Sequence, residues 1–167
     1  MNYSEKMTIF EGQFVSFPYS GEHQLQEMLR ELGIIVEIFD DGLTVESVGK
    51  YIVCIRGFEL AVEDWYSRGE LAGLLNTDFE TFREQHVANY DRFMSTWVSS
   101  NNIPNRLTLT YNDITTDTVQ TLIRVYHFIT DQHPDDQMIE RIKKVGFYPI
   151  KRAQTTLSLL SNARDID

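Results

Sequence analysis

Gln13 to Leu32 reads QFVSFPYSGEHQLQEMLREL, and this stretch decides the fold. Phe14, Val15 and Phe17 are aromatic or β-branched residues that fit a pleated surface, so a strand is expected here. Pro18 closes it, having no N–H for a ladder and holding Phe17 extended. Ser20 and Gly21 form a turn pair, with Gly21 free to take positive φ. Leu25, Met28, Leu29 and Leu32 then recur at helical spacing, with Glu27, Arg30 and Glu31 opposite. A strand, a tight loop and a helix in succession aim unpaired backbone N–H groups and a positive helix-dipole end at one point. Such a point suits a phosphate or sulfate. An ordinary βα turn has the same outline, and neither G-x-x-x-x-G-K-[ST] nor G-x-G-x-x-G is present.

Outward from this unit, Ile34 to Phe39 (IIVEIF) reads as a second strand turned by DDG at 40–42. Tyr51 to Ile55 (YIVCI) is a continuous apolar run of the kind buried on both faces of a parallel sheet. Arg56 and Gly57 end it, and a helix with Leu60, Ala61, Asp64 and Trp65 follows. A second strand–turn–helix therefore carries an arginine at the carboxyl end of its strand, where open parallel sheets bind ligands. Gly69 to Leu75 reads as a connection. Asp78 caps a long helix with Phe79, Phe82, Val87, Tyr90, Met94 and Trp97 on its apolar positions. Arg106 to Tyr111 alternates as a strand. Asp117 is expected to cap a further helix, Asp135 or Asp136 a last one over Met138 to Val145, with Gly146 as its C′ residue. Strands alternating with helices predict an α/β fold with a mainly parallel sheet.

The 167 residues carry a formal charge of −10. That excess of acid argues against nucleic acid as a partner. A phosphate site here would be a local positive island of amides and a few arginines in an unfavourable field. No apolar run approaches the ~20 residues of a membrane span, and MNYSEKMTIFEG lacks the basic-then-apolar order of a secretory signal. Cys54, the single cysteine, sits in an apolar run and reads as a buried small hydrophobe. A cytoplasmic protein of one domain, 1–167, with an irregular tail at 153–167, is expected.

The order of segments resembles a family. PYSGEHQLQEML is similar to the PKSGTTWLxEIL loop of sulfotransferases that use 3′-phosphoadenosine 5′-phosphosulfate (PAPS). YIVCIRGFELAVEDWY resembles their second motif, a strand ending in VVRNPRDVAVSYY. YDRFMSTWVSSNNIPNRLTLTYNDI is similar to their helix, tryptophan, strand and YEDL segment, and TVQTLIRVYHFI and MIERIKKVGF to the two closing helices. The resemblance covers most of residues 12–152. It implies a three-layer P-loop-type α/β domain, helices on both faces of the sheet, and transfer of a sulfuryl group from PAPS to a hydroxyl or amine acceptor.

The same resemblance implies that Tyr19, Ser20, Gly21, Glu22, His23 and Gln24 surround the 5′ end of the cofactor. Arg56 and Asp64 would stand at its 3′-phosphate, and Lys151 and Arg152 are the basic candidates near the chain's end. His23 is the candidate base. The departures are as informative. Tyr19 replaces the family's lysine, which neutralises the leaving group; Glu22 and His23 replace two threonines; Asp64 replaces a serine. The K-T-H segment and the C-terminal glycine-rich motif are missing. A second reading therefore stands beside the enzyme: a non-catalytic sulfotransferase-like binding or interaction module, with Arg56 closed onto Asp64 in place of a phosphate. A small P-loop kinase is disfavoured by the missing loop lysine. No metal-ligand spacing links His86, His127 and His133.

Overall fold

The structure, a computed structural model, describes residues 8–10, 12–36, 38–39, 49–103 and 105–146. In chain order, β1 (Thr8–Ile9) and β2 (Gly12–Ser16) lead to α1 (Glu22–Glu31), then β3 (Ile34–Ile35), β4 (Ile38–Phe39) and β5 (Lys50–Ile55). The helices α2 (Phe58–Leu71) and α3 (Phe79–Phe93) follow, the latter running into a π turn at Met94–Val98. After β6 (Arg106–Thr110) come α4 (Tyr111–Thr116), α5 (Thr118–Thr130) and α6 (Asp136–Gly146). The main sheet has the order β4-β2-β5-β6 and every pair in it is parallel.

Register explains why the central strands read as unbroken apolar runs. Phe14 lies opposite Ile52 and Val15 opposite Val53 across β2 and β5, and Cys54 opposite Leu109 across β5 and β6. Side chains alternate between faces with period two. Phe14, Ile52, Cys54 and Leu109 therefore join Leu25, Leu29, Leu122, Val125 and Ile142 in one core, under α1, α5 and α6. Val15, Tyr51 and Val53 join Ala61, Val62, Phe82, Phe93 and Trp97 on the other, under α2 and α3. Each such fully buried side chain contributes about 1.5–3 kcal/mol of transfer free energy. Helices cover both faces, so the architecture is the three-layer α/β domain with a parallel sheet that was expected.

Several local expectations are corrected. Ile34 to Phe39 is two strands, not one: Ile34 and Ile35 pair with Thr8 and Ile9, whereas Ile38 and Phe39 pair with Phe14 and Val15. The turn expected at 40–42 lies outside the described residues. Helix α2 continues through Gly69 to Leu71, and the Leu75 side chain packs back over Gly69, 2.9 Å from where a Cβ would stand. Val87 is exposed rather than core. Tyr111 begins a helix instead of ending a strand, since Thr110 and Asp113 form a capping box there. Asp117 makes no side-chain cap bond, whereas Asp135 accepts the Met138 N–H at 2.7 Å and Asp78 that of Thr81 at 3.0 Å. Gly146 sits inside α6 and serves packing: a Cβ there would stand 2.8 Å from Val119 Cγ2.

Candidate functional site

The site begins with the backbone of the loop between β2 and α1. Tyr19 (φ 63°) and Gly21 (φ 93°) both take the left-handed conformation, which costs a tyrosine more than a glycine. Gly21 has a steric reason to be glycine as well, since a Cβ would meet Ile114 Cδ1 at 3.1 Å and Tyr111 Cδ2 at 3.2 Å. The first bond of α1 runs from the Leu25 N–H to the Gly21 carbonyl at 3.0 Å. The amides of Glu22, His23 and Gln24 therefore precede any intrahelical acceptor and carry the positive end of the helix dipole.

Glu22 is nearly buried, at 5% exposure, and turns back into this loop. Its Oε1 accepts the Tyr19 N–H at 3.2 Å, while Oε2 is buried with no hydrogen-bond partner. Together with burial, the larger cause, Glu22 raises the pKa of the Cys54 thiol. Ser20 is fully buried and its Oγ is likewise without a partner. The His23 side chain is 79% exposed, with Nε2 3.8 Å from Glu22 Oε1.

Arg56 enters from the end of β5. Its Nη1 donates to the Tyr19 carbonyl at 3.2 Å and to the Asp64 carboxylate, which α2 delivers two turns on. Its guanidinium lies 4.1 Å over the Tyr111 ring, and its Nε is buried and unpartnered. Tyr90 fixes the backbone at this point by donating its hydroxyl to the Arg56 carbonyl at 2.9 Å; burial raises its phenol pKa. One turn beyond Asp64, Arg68 stands 5.3 Å over the Tyr19 ring. Between these groups lies a hollow of about 150 Å³, lined by Tyr19, Gly21, Glu22, His23, Gln24, Arg56, Asp64, Arg68 and Tyr111. A mostly apolar pocket of about 360 Å³ adjoins it, bounded by Ile55, Leu60 and Tyr90 and sharing Arg56 and Tyr111.

The chain is similar in structure to mouse sulfotransferase SULT7A1 complexed with PAP, with a TM-score of 0.64 at 16% identity. The fold is sulfotransferase-like. The likeness covers 84% of this chain and 66% of the mouse chain. No family model and no curated protein matches the sequence.

On this sulfotransferase-like scaffold, seven of the residues singled out from the sequence line one hollow: Tyr19, Gly21, Glu22, His23, Gln24, Arg56 and Asp64. Ser20 is buried within the loop itself, and Lys151 and Arg152 lie outside the described residues. Arg68 is the lining residue that sequence reasoning passed over, and Tyr111, read from the sequence as fixing the strand-to-helix turn, also lines the hollow. A signal for Arg68 existed: it follows Asp64 by four positions, which places both on one face of α2. His86 packs at a tilt against both Trp65 and Phe82, with ring centroids 4.2 and 4.4 Å away, and His127 stacks on His133 at 4.3 Å; none of the three histidines lines the hollow. No group of three or more candidate metal ligands occurs among the described residues, and none of their helices is long and apolar enough to cross a membrane.

Proposed function

We propose that this hollow receives the phosphosulfate end of PAPS and that the chain passes a sulfuryl group to a hydroxyl or amine acceptor. The observation that carries the reading is the unsatisfied polarity gathered around one loop. Ser20 Oγ and Arg56 Nε, both able to donate to an oxyanion, are buried without a partner, whereas the equally unpartnered Glu22 Oε2 can only accept and does not support an anion. Native structures leave few such atoms, and each costs about 1–3 kcal/mol. Tyr19 adds strain by its positive φ. Departures of this kind from local consistency concentrate at sites kept for a ligand. A turn with no ligand to hold would be more stable with apolar filling.

Ser20, Gly21 and the amides of Glu22 to Gln24 would hold the 5′ end, and Arg56 the 3′-phosphate. PAPS supplies the activated sulfuryl group. His23 is the group free to turn and take the acceptor's proton, its side chain being 79% exposed at the rim. The chain's own share is positioning and charge stabilisation. In the free protein, Glu22 and Asp64 take the donors that the ligand's anionic groups would use.

Those same two carboxylates favour a second reading. Glu22 accepting the Tyr19 N–H, with Arg56 closed onto Asp64, is the arrangement expected of a non-catalytic module whose anion positions are filled from within. Calorimetric titration with 3′-phosphoadenosine 5′-phosphate (PAP) separates the two. Micromolar binding that is lost in Arg56→Ala supports the transferase; no heat at millimolar nucleotide supports the module.

A further inference from the structure

The β2–α1 loop has no cationic residue: Tyr19 occupies the position from which a basic side chain would reach the ligand's anionic group. Arg68 is the unspent positive charge beside it. An aspartate four residues before an arginine on a helix is well placed to pair with it. Here Asp64 is engaged by Arg56 instead, and among the described residues no carboxylate stands within ion-pair distance of Arg68. What Arg68 does contact is the ring of Tyr19, with its guanidinium carbon 5.3 Å from the centroid. It also lines the hollow, together with Glu22, His23 and Gln24 of the first turn of α1. A guanidinium on an aromatic face keeps its donors free at the edge of its plane, and such a stack at an exposed site is worth only about 0.5–1 kcal/mol. It is therefore easily given up for a charge-assisted bond to an oxyanion.

We propose that Arg68 is a second ligand-contacting cation of this site beside Arg56, supplying from α2 the charge that the loop lacks, and that Tyr19 is the platform that parks it at the rim. The left-handed backbone of Tyr19 belongs to this device, because it sets the direction of the ring that Arg68 covers. The group Arg68 meets is a phosphate or sulfate ester, held on its other side by the amides of Glu22 to Gln24. The inference rests on the reading of the hollow as an oxyanion site, and it assigns the residue that makes that reading electrostatically workable.

The test is a set of titrations with PAP and with inorganic phosphate, followed by calorimetry and by amide NMR shifts of Gly21 to Gln24. Arg68→Ala is expected to weaken PAP binding at least tenfold and Arg68→Lys less. Tyr19→Ala should cost a few-fold. The exchange Tyr19→Lys with Arg68→Ala should recover most of the loss by returning the cation to the loop. Arg68 is exposed, so thermal melts of its variants should match the parent. Should PAP bind equally with and without Arg68, the inference falls and the proposed function stands. If phosphate moves these amides in an Arg68-dependent way while PAP gives no heat, the nucleotide reading falls and Arg68 keeps its role. Silence to both ligands overturns both.

Discussion

Glu22 closes the loop on itself: its carboxylate accepts the N–H of Tyr19 at 3.2 Å, three residues earlier in the chain. That carboxylate sits where the first turn of α1 would attract a foreign anion, so it satisfies the dipole and repels a phosphate at the same time. Glu22→Gln keeps an acceptor for Tyr19 and removes the charge. The variant is expected to bind PAP about tenfold more tightly, equivalent to about 1.4 kcal/mol, with no loss of thermal stability. Paired titrations of parent and variant check it; unchanged or weaker binding counts against competition by Glu22.

Arg56 and Asp64 form the second internal contact, and its cost should be lopsided. Arg56 is nearly enclosed, with its side chain 13% exposed, while Asp64 is 47% exposed. Asp64→Ser leaves the nearly enclosed Arg56 guanidinium without its counter-charge, a loss partly offset by water entering where the half-exposed carboxylate stood, so it should cost about 1 kcal/mol. Arg56→Ala also loses the bond to the Tyr19 carbonyl and the stack on Tyr111, and is expected to cost about 2–3 kcal/mol. Urea unfolding of the two variants measures the asymmetry. Asp64→Ser should in addition strengthen PAP binding, because it frees the guanidinium.

These contacts show how far the sequence could be read. Phe14, Val15 and the run from Tyr51 to Ile55 announced buried parallel strands because burial on both faces leaves no alternation to hide them. The Arg56–Asp64 pair was legible as an alternative, since an arginine ending a buried strand requires a partner and α2 offers one. Arg68 on Tyr19 was not, because it depends on a positive φ at a non-glycine residue, which no residue type there demands. The division of Ile34 to Phe39 was hidden for a related reason: two dipeptides pair with different strands, and local composition is blind to the partner. Thr110 and Asp113 had the spacing of a capping box, so the start of α4 was available and was missed.

His86 gives the fold an acid sensitivity that can be located. Packed against Trp65 and Phe82, it is harder to charge than free imidazole, and burial lowers its pKa from 6.5. The unfolded chain then binds a proton more readily than the folded one, so stability rises with pH across the interval between the two values. The full contribution is present above 6.5 and is lost as pH falls from there to the lowered folded value. His86→Phe keeps an aromatic ring against Trp65 and Phe82 and removes the titration. Its melting temperature should fall less than the parent's between pH 7 and pH 5, and equal falls would exclude His86 as the source.

Two glycines should respond differently to the same added methyl. At Gly57, the residue before α2, φ is −56° and a Cβ would meet nothing within 4 Å. Alanine there restricts the unfolded chain, which favours folding by about 0.4–1 kcal/mol, but Gly57 is the N-cap of α2 and alanine is a poorer cap by a similar amount, so Gly57→Ala should be close to neutral. At Gly146, the methyl would stand 2.8 Å from Val119 Cγ2 and 3.5 Å from the Val119 nitrogen. A β-branched side chain has little rotamer freedom with which to yield, and the backbone behind it has less. Alanine's better helix propensity returns about 1 kcal/mol, and overpacking against Val119 costs about 1–3 kcal/mol, so Gly146→Ala should be net destabilising, by up to about 2 kcal/mol. The further variant Val119→Ala with Gly146→Ala removes the colliding methyl and should recover part of that loss. Thermal melts of the three variants decide it; stabilisation by Gly146→Ala alone would return Gly146 to the role of an ordinary helix terminus.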